Sequence, residues 1–264
     1  MRVEDHAAAA AALVRAEHDR RQIGLLSVAY PDIDMDDAYA VQKQVVAAKV
    51  AAEDPVIGWK IGLTSRAMQM ALNIDIPDSG VLTRSMQFET GAAIPAGHFI
   101  EPRIEAEIAF VMKSDLGGAD VTRADVLAAT DYVAPALEIL DTRIQRRDPQ
   151  TGQARKVFDT IADNAANAGI VMGTERNALD NLPWVGAIVS VGDTVEETGL
   201  GAGVLGDPVE SVVWLARRMA IYGDRIKAGQ VILSGSFIRP IECPPGTDIH
   251  ADFGDFGRVD LSFA

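Results

Sequence analysis

The spacing of apolar and polar residues changes character near residue 55. Before that point the period is helical. Residues 4–23 read as an alanine-rich helix with its charges on one outer face. A second helix is predicted to start at Asp34 as N-cap with Asp37 three residues on, because acidic groups suit the positive end of a helix. Its apolar stripe is Val41, Val45, Ala48 and Ala52. A turn at Pro31 separates the two, giving a small helical N-terminal unit over residues 1–55.

From residue 56 onward the pattern is of short strands broken by Gly and Pro, at 56–61, 104–112, 132–140, 166–172, 185–191, 230–238, 249–253 and 257–263. Gly254-Asp255 is a natural turn between the last two. Two helices interrupt them. One starts at Thr122 with Asp125 in capping position. The other has Asp207 as cap, Pro208 first in the helix, and Val209, Val212, Val213 and Ala216 as its buried stripe, stopping near Gly223. Strands outnumber helices and do not alternate with them strictly. The expected class is therefore α+β, with a mixed, largely antiparallel sheet built by residues 56–264. There is no internal repeat.

Composition narrows the partners. The chain has 264 residues, 48% hydrophobic, enough for a well-packed core. A formal net charge of −14 argues against a nucleic-acid surface and against anionic lipid, both of which need a basic face. No apolar stretch is long enough to cross a bilayer, and the sequence reads as cytoplasmic. A lone cysteine, Cys243, excludes an intrachain disulfide and a cysteine metal cluster.

The strongest chemical signal is the strand from Glu105 to Met112. Alternate side chains of a strand share a face, so Glu105 and Glu107 point the same way, about 6.6–6.8 Å apart. Ala106, Ile108, Phe110 and Met112 make the other face wholly apolar. The glutamate face continues into Ala109 and Val111, which suggests that it too is covered. Glu138 repeats the anomaly among Ala136, Leu137, Ile139 and Leu140, with Pro135 marking an edge or bulge nearby. From spacing alone two readings stay open. These are solvated strand glutamates, or three ligands of a hard octahedral ion such as Mg²⁺ or Mn²⁺, since buried like charges need a cation between them.

Lys60 lies between Gly58 and Gly62 in an otherwise apolar strand. It either snorkels from a strand end or holds a substrate carboxylate and moves protons. Asp78 falls in a Pro77-Asp-Ser-Gly80 turn signature and would brace that turn. Residues 156–167 carry Lys156, Asp163, Asn164 and Asn167 among apolar neighbours, denser in polar groups than a buried segment should be. Ser234-Gly235-Ser236 ends an apolar strand and would let a ligand approach the backbone. Residues 201–206 match GxGxxG by letter but follow a polar stretch rather than a strand, which reads as a loop covering substrate instead of a dinucleotide site. His6 and His18 read as surface residues, and the four histidines have no metal-ligand spacing. No GxSxG elbow is present, so nucleophilic hydrolysis is disfavoured.

The runs 58–65, 101–110, 130–138 and 155–169, with 195–199 and 235–240, resemble the hydratase/decarboxylase branch of the fumarylacetoacetate hydrolase superfamily over residues 20–264. That resemblance implies a mixed β-roll core, a divalent ion held by Glu105, Glu107 and Glu138, and homo-oligomers built of dimers, a decamer of dimers among them. Lys60 becomes an active-site lysine with Asp78 beside it, and Lys156, Arg66, Asn164 and Ser234 fall on the substrate side. The implied activity is hydration of a small 2-oxo-enoic acid in aromatic meta-cleavage degradation. A sister 2-oxo-3-hexenedioate decarboxylase, a 2-oxopent-4-enoate hydratase and a silent partner subunit are the alternatives. A second substrate carboxylate would want a cation, and Arg66, Arg143 or Arg147 could supply it.

Overall fold

The computed structural model describes residues 1–66, 69–70 and 76–264. Its N-terminal helices are α1 (Val3–Asp19), α2 (Leu26–Ala29) and α3 (Met35–Ala51). Asp34 caps α3 as expected, its side chain accepting from Asp37 N at 2.9 Å. The buried stripe of α3 is Ala38, Val41, Gln42 and Val45, whereas Ala48 and Ala52 are exposed. In the last turn the contact to α1 is made instead by Lys49, whose ammonium meets Glu17 Oε1 at 2.5 Å. His6 is not a free surface residue. Its Nε2 lies 2.7 Å from Asp37 Oδ1 and pins α1 to α3. Together these helices pack on α5 (Val157–Ala162) and on Ile144 in one apolar cluster.

The rest of the chain builds two sheets. The larger contains β1 (Val56–Gly62), β2 (Asp78–Thr83), β3 (Gln87–Glu89), β5 (Arg103–Met112), β6 (Thr130–Leu140), β7 (Asn167–Met172) and β10 (Val231–Leu233). Its order is β2-β1-β10-β5-β6-β7-β3, with β11 (Ile241–Glu242) on the end of β5. The smaller runs β4-β13-β12-β8-β9, from β4 (Ala92–Ile94), β8 (Gly186–Val191), β9 (Thr194–Leu200), β12 (Thr247–Asp252) and β13 (Arg258–Phe263). Most neighbours are antiparallel, while β1–β10, β3–β7 and β4–β13 are parallel. This is the mixed α+β architecture expected.

Two elements overturn local readings. Residues 78–83 are a strand and not a turn, because Asp78, Ser79 and Gly80 pair with Gly62, Ile61 and Lys60 of β1. Residues 194–200 are also a strand, paired to β8, although mostly exposed and polar. The GxGxxG run therefore does leave a strand directly. That strand is an antiparallel edge and not the parallel centre of a βαβ unit, so the dinucleotide reading gains nothing from it.

The large sheet is covered outside by α4 (Arg123–Ala129) and α6 (Pro208–Ile221), which pack on Ile108, Phe110, Met112 and Ile232. Asp207 caps α6 and accepts from Val209 N at 3.0 Å, and the predicted stripe of Val209, Val212, Val213 and Ala216 is buried. Elsewhere the smaller sheet covers it, meeting Ile104, Ala106 and Ile139. The sheet also curls on itself. Asn164 spans the gap between β2 and the start of β7, its Oδ1 accepting from Val81 N at 2.8 Å and its Nδ2 donating to Val81 O at 2.9 Å. Asn167 Nδ2 adds a bond to the same carbonyl at 3.0 Å. Side-chain amides thus stand in for a missing strand ladder and close the roll. Inside it Leu82, Ala109, Ala136, Ile170 and Leu233 form a small apolar floor. Among the described residues no helix is long and apolar enough to cross a membrane.

Candidate metal centre and active site

The interior of the roll is where the carboxylates meet. Glu105 pairs directly with Glu138 across β5 and β6, and Glu107 follows Glu105 on the same face. One carboxylate oxygen from each of the three lies within 4.8 Å of the others. Glu107 and Glu138 are fully buried, and Glu105 keeps a partly exposed edge. Gly235 N donates to Glu107 Oε2 at 2.7 Å, but Glu107 Oε1 and both oxygens of Glu138 have no hydrogen-bond partner.

Three inward acids in so small a volume resist ionising. Burial first, and then repulsion from Glu138, push the Glu105 acid up to about 8. Glu107 is raised well above its ordinary value for the same two reasons, with Glu105 adding to the repulsion. Glu138 is raised by burial, although the nearby Lys60 ammonium pulls the other way.

Lys60 enters the same chamber from β1, its Nζ 3.4 Å from Glu138 Oε1. This is a charge contact without hydrogen-bond geometry, so it leaves that oxygen unsatisfied. Burial alone would lower the lysine, but Glu138, Asp78, Glu105 and Glu107 together outweigh it and hold the ammonium above its ordinary value. The snorkelling alternative is excluded, since Lys60 is 3% exposed. Its room is made by glycines. Gly80 stands opposite Lys60 in the ladder, and a Cβ there would press on its Cγ and Cε. At Gly62 a Cβ would collide with Asp78 Oδ1 and crowd Lys60 Nζ. Asp78 is itself buried with Oδ1 unpartnered, and desolvation raises its acid despite Lys60.

The remaining candidates divide. Ser234 is fully buried, its Oγ unpartnered, one residue before Gly235. Asn164 has both amide atoms taken by Val81, so its place is in closing the roll and not on the ligand side. Lys156 is exposed at the N-cap of α5, its backbone N–H bonded to Asp159 Oδ2 at 2.8 Å. Arg143 is buried and spent. Its Nε donates to Asp163 Oδ1 at 2.6 Å, and its Nη1 and Nη2 donate to Asn167 O and Asp163 O. Arg147 sits on an exposed turn and bonds Gly152 O. Arg66 lines a cavity of about 600 Å³ with Ala202, Gly203, Leu205 and Gly206, so the glycine loop does lie against a candidate residue.

Sequence reasoning missed Gly235 as a backbone donor to Glu107, and missed Gly62 and Gly80 as the hollow that admits Lys60. The glycines on both sides of Lys60 were the available signal. Cys243 is buried, with its thiol pushed up to about 12 by desolvation, which makes it no nucleophile.

The chamber also passes a test for a cation. One oxygen from each acid already lies within 4.8 Å of the other two, so the three converge on one point, and the donor set is all oxygen, as hard divalent ions prefer. The unpartnered oxygens of Glu107 and Glu138 are the ones such an ion would satisfy. Fold and chamber together define a β-roll with a buried acidic cluster, suited to a divalent cation, beside a buried lysine.

Relatives make that class specific. The chain is 46% identical over 260 residues to a 2-oxo-hept-4-ene-1,7-dioate hydratase from Escherichia coli, covering 98% of this chain and 97% of that one. It is 38% identical to a 2-keto-4-pentenoate hydratase from Paraburkholderia xenovorans (strain LB400), covering 97% and 93%. Among solved structures, 4-oxalocrotonate decarboxylase from Pseudomonas putida G7, complexed with magnesium and adipate, superposes with a TM-score of 0.94. That pair is 31% identical, covering 100% of this chain and 99% of the decarboxylase. No family model matches the chain. The chain belongs to the hydratase/decarboxylase family that these relatives define and is an enzyme of the hydratase side, and its fold is shared with fumarylacetoacetate hydrolase family proteins.

Proposed function

We propose that the chain hydrates 2-oxo-hept-4-ene-1,7-dioate to 4-hydroxy-2-oxoheptanedioate, in aromatic meta-cleavage degradation, with Glu105, Glu107 and Glu138 holding a divalent cation. Mg²⁺ is the ion of choice and Mn²⁺ the alternative. The observation that carries this is the group of three converging carboxylates whose inward oxygens have no partner, with a lysine ammonium 3.4 Å away. When bound, a hard cation supplies Lewis acidity to a 2-oxo acid.

The chain's own groups supply the proton handling. Hydration of this substrate needs the double bond shifted into conjugation with the oxo group, so a proton leaves C3 and another arrives at C5. Water then adds at C4 and a proton returns to C3. Two buried groups stand ready to move these protons. Asp78, whose acid is raised by burial, stands beside Lys60 as the group that takes and returns a proton. Lys60, held cationic by the surrounding acids, donates to oxygen that gains charge as the enolate develops. The apolar floor of Leu82, Ala109 and Leu233 excludes bulk water from the inner end. Ser234, with its unpartnered Oγ, joins as a substrate contact at the chamber wall.

Sister decarboxylation is the second reading. It is favoured by the superposition on a decarboxylase that binds adipate, a dicarboxylate, together with magnesium. The purified chain, with no partner protein, should be assayed with Mg²⁺ and Mn²⁺ on 2-hydroxy-dienoates with and without a distal carboxylate, while released CO₂ is monitored. Hydrated product without CO₂ supports the hydratase. CO₂ release supports the sister reaction, and no turnover of any substrate supports a silent subunit. Glu107→Gln should lose metal-dependent turnover at least about a hundredfold with the fold intact. Full activity of that variant under chelator ends the proposal. The assembly is proposed to be a homo-oligomer built of dimers, up to a decamer of dimers. Exposed Trp184, Ile221 and Tyr222 are candidate contact residues, and light scattering reads the mass.

A further inference from the structure

We infer that Arg66, at the cavity formed with the 201–206 loop, is the subsite for a second, distal carboxylate, and so selects dicarboxylic over monocarboxylic substrates. This rests on the hydratase reading for the identity of the reaction, but not for its own test. Three arginines offered themselves by sequence, and the fold spends two. Arg143 is locked in a buried ion pair with Asp163, its other nitrogens on backbone carbonyls. Arg147 is on an exposed turn and engaged with Gly152 O.

Arg66 is placed differently. A line of direct contacts leads from the acidic chamber to it. Glu107 accepts from Gly235 N at 2.7 Å. Gly235, at φ +116, packs so closely on Thr64 that a Cβ would overlap its side chain. Thr64 O accepts from Leu205 N at 3.2 Å, which fastens the glycine loop to the segment after β1 that leads into Arg66. Arg66, itself exposed, lines with Gln69, Met70 and that loop an open cavity of about 600 Å³.

The loop contributes Ala202, Gly203, Leu205 and Gly206 to this wall, and none of them carries charge. Among the described residues Arg66 is the one cation of the cavity and has no ion pair. A guanidinium at a partly apolar wall, on a chain of net charge −14, fits a planar anion that it can grip with two parallel hydrogen bonds. Lys60 cannot do this work, because it is already surrounded by four carboxylates inside the chamber.

The test uses unreactive probes, so that it does not depend on turnover. Adipate and hexanoate differ only in the distal carboxylate, and their binding to the Mg²⁺-loaded protein is measured by calorimetry. Wild type should prefer adipate at least about tenfold, within the range of one charge-assisted hydrogen-bonded contact. Arg66→Met, which keeps the aliphatic stem, should bring that ratio close to one, and Arg66→Lys should restore part of it. A wild type without preference overturns the inference, as does a preference that survives in Arg66→Met. Loss of hydratase turnover with the adipate preference intact would sink the reading of the reaction and leave this subsite standing.

Discussion

Removing divalent cations and raising the pH should destabilise the protein by an amount set by its acid cluster. The Glu105 acid sits at about 8 in the folded chain, against an ordinary value of 4.5 once unfolded. Between those values the unfolded chain has released this proton and the folded chain still holds it. Stability from this group is therefore complete below about 4.5 and is lost as pH rises toward 8. The slope is up to about 1.4 kcal/mol per pH unit for each such group. From pH 5 to 8 that gives a ceiling of about 4 kcal/mol for Glu105 alone. Its partly exposed edge lets solvent relieve a share, while Glu107 is shifted in the same direction and adds to it. A net loss of about 2–4 kcal/mol follows, roughly 5–15 °C in Tm for a chain of this size. His98 works against this trend, because burial lowers its acid and favours the folded state as pH rises.

Thermal melts in EDTA at pH 5, 6, 7 and 8, repeated with saturating Mg²⁺, measure the effect. The ion should raise Tm more at pH 8 than at pH 5, since at low pH it competes with protons for the same oxygens. A Glu105→Gln, Glu107→Gln double variant separates the cluster from His98 and should flatten the downward slope, leaving only the share that Glu138 and Asp78 contribute. If the metal-free Tm is flat or rises from pH 5 to 8, and the double variant behaves identically, the acids ionise freely. Desolvation then does not hold these acids protonated.

Lys60→Met should reduce kcat by about 10²–10⁴-fold, as expected for loss of a proton-transfer group. It should also tighten Mg²⁺ binding in calorimetry, because it removes a competing cation 3.4 Å from Glu138. Asn164→Ala breaks two buried bonds to Val81 and should cost about 2–4 kcal/mol in urea unfolding. A cost under about 0.5 kcal/mol would mean that the roll closes without it. Gly235→Ala forces a Cβ onto Thr64 at a left-handed backbone position and misplaces the N–H that Glu107 accepts. Calorimetry should show Mg²⁺ affinity reduced about tenfold or more.

The sequence by itself determined the period change near residue 55, the capped starts of α3, α4 and α6, and most long strands. These depend on neighbours in the chain, such as an acid three residues after a cap or alternation along a strand. It also singled out Glu105, Glu107, Glu138 and Lys60, because a charge inside an apolar run is anomalous wherever the run ends up. Strands β2 and β9 escaped it, as did the short β3, β4 and β11. Asp78-Ser79-Gly80 looks like a turn until Gly62, Ile61 and Lys60 pair with it, and β9 is too polar and exposed to show alternation. Only the tertiary structure decided that the acids converge, since β5 and β6 come into register through pairing and curl that no local pattern encodes. It also decided which polar residues were free. Asn164 and Arg143 looked like ligand groups in the sequence, but a buried donor or acceptor must be satisfied, and Val81 and Asp163 reached them first.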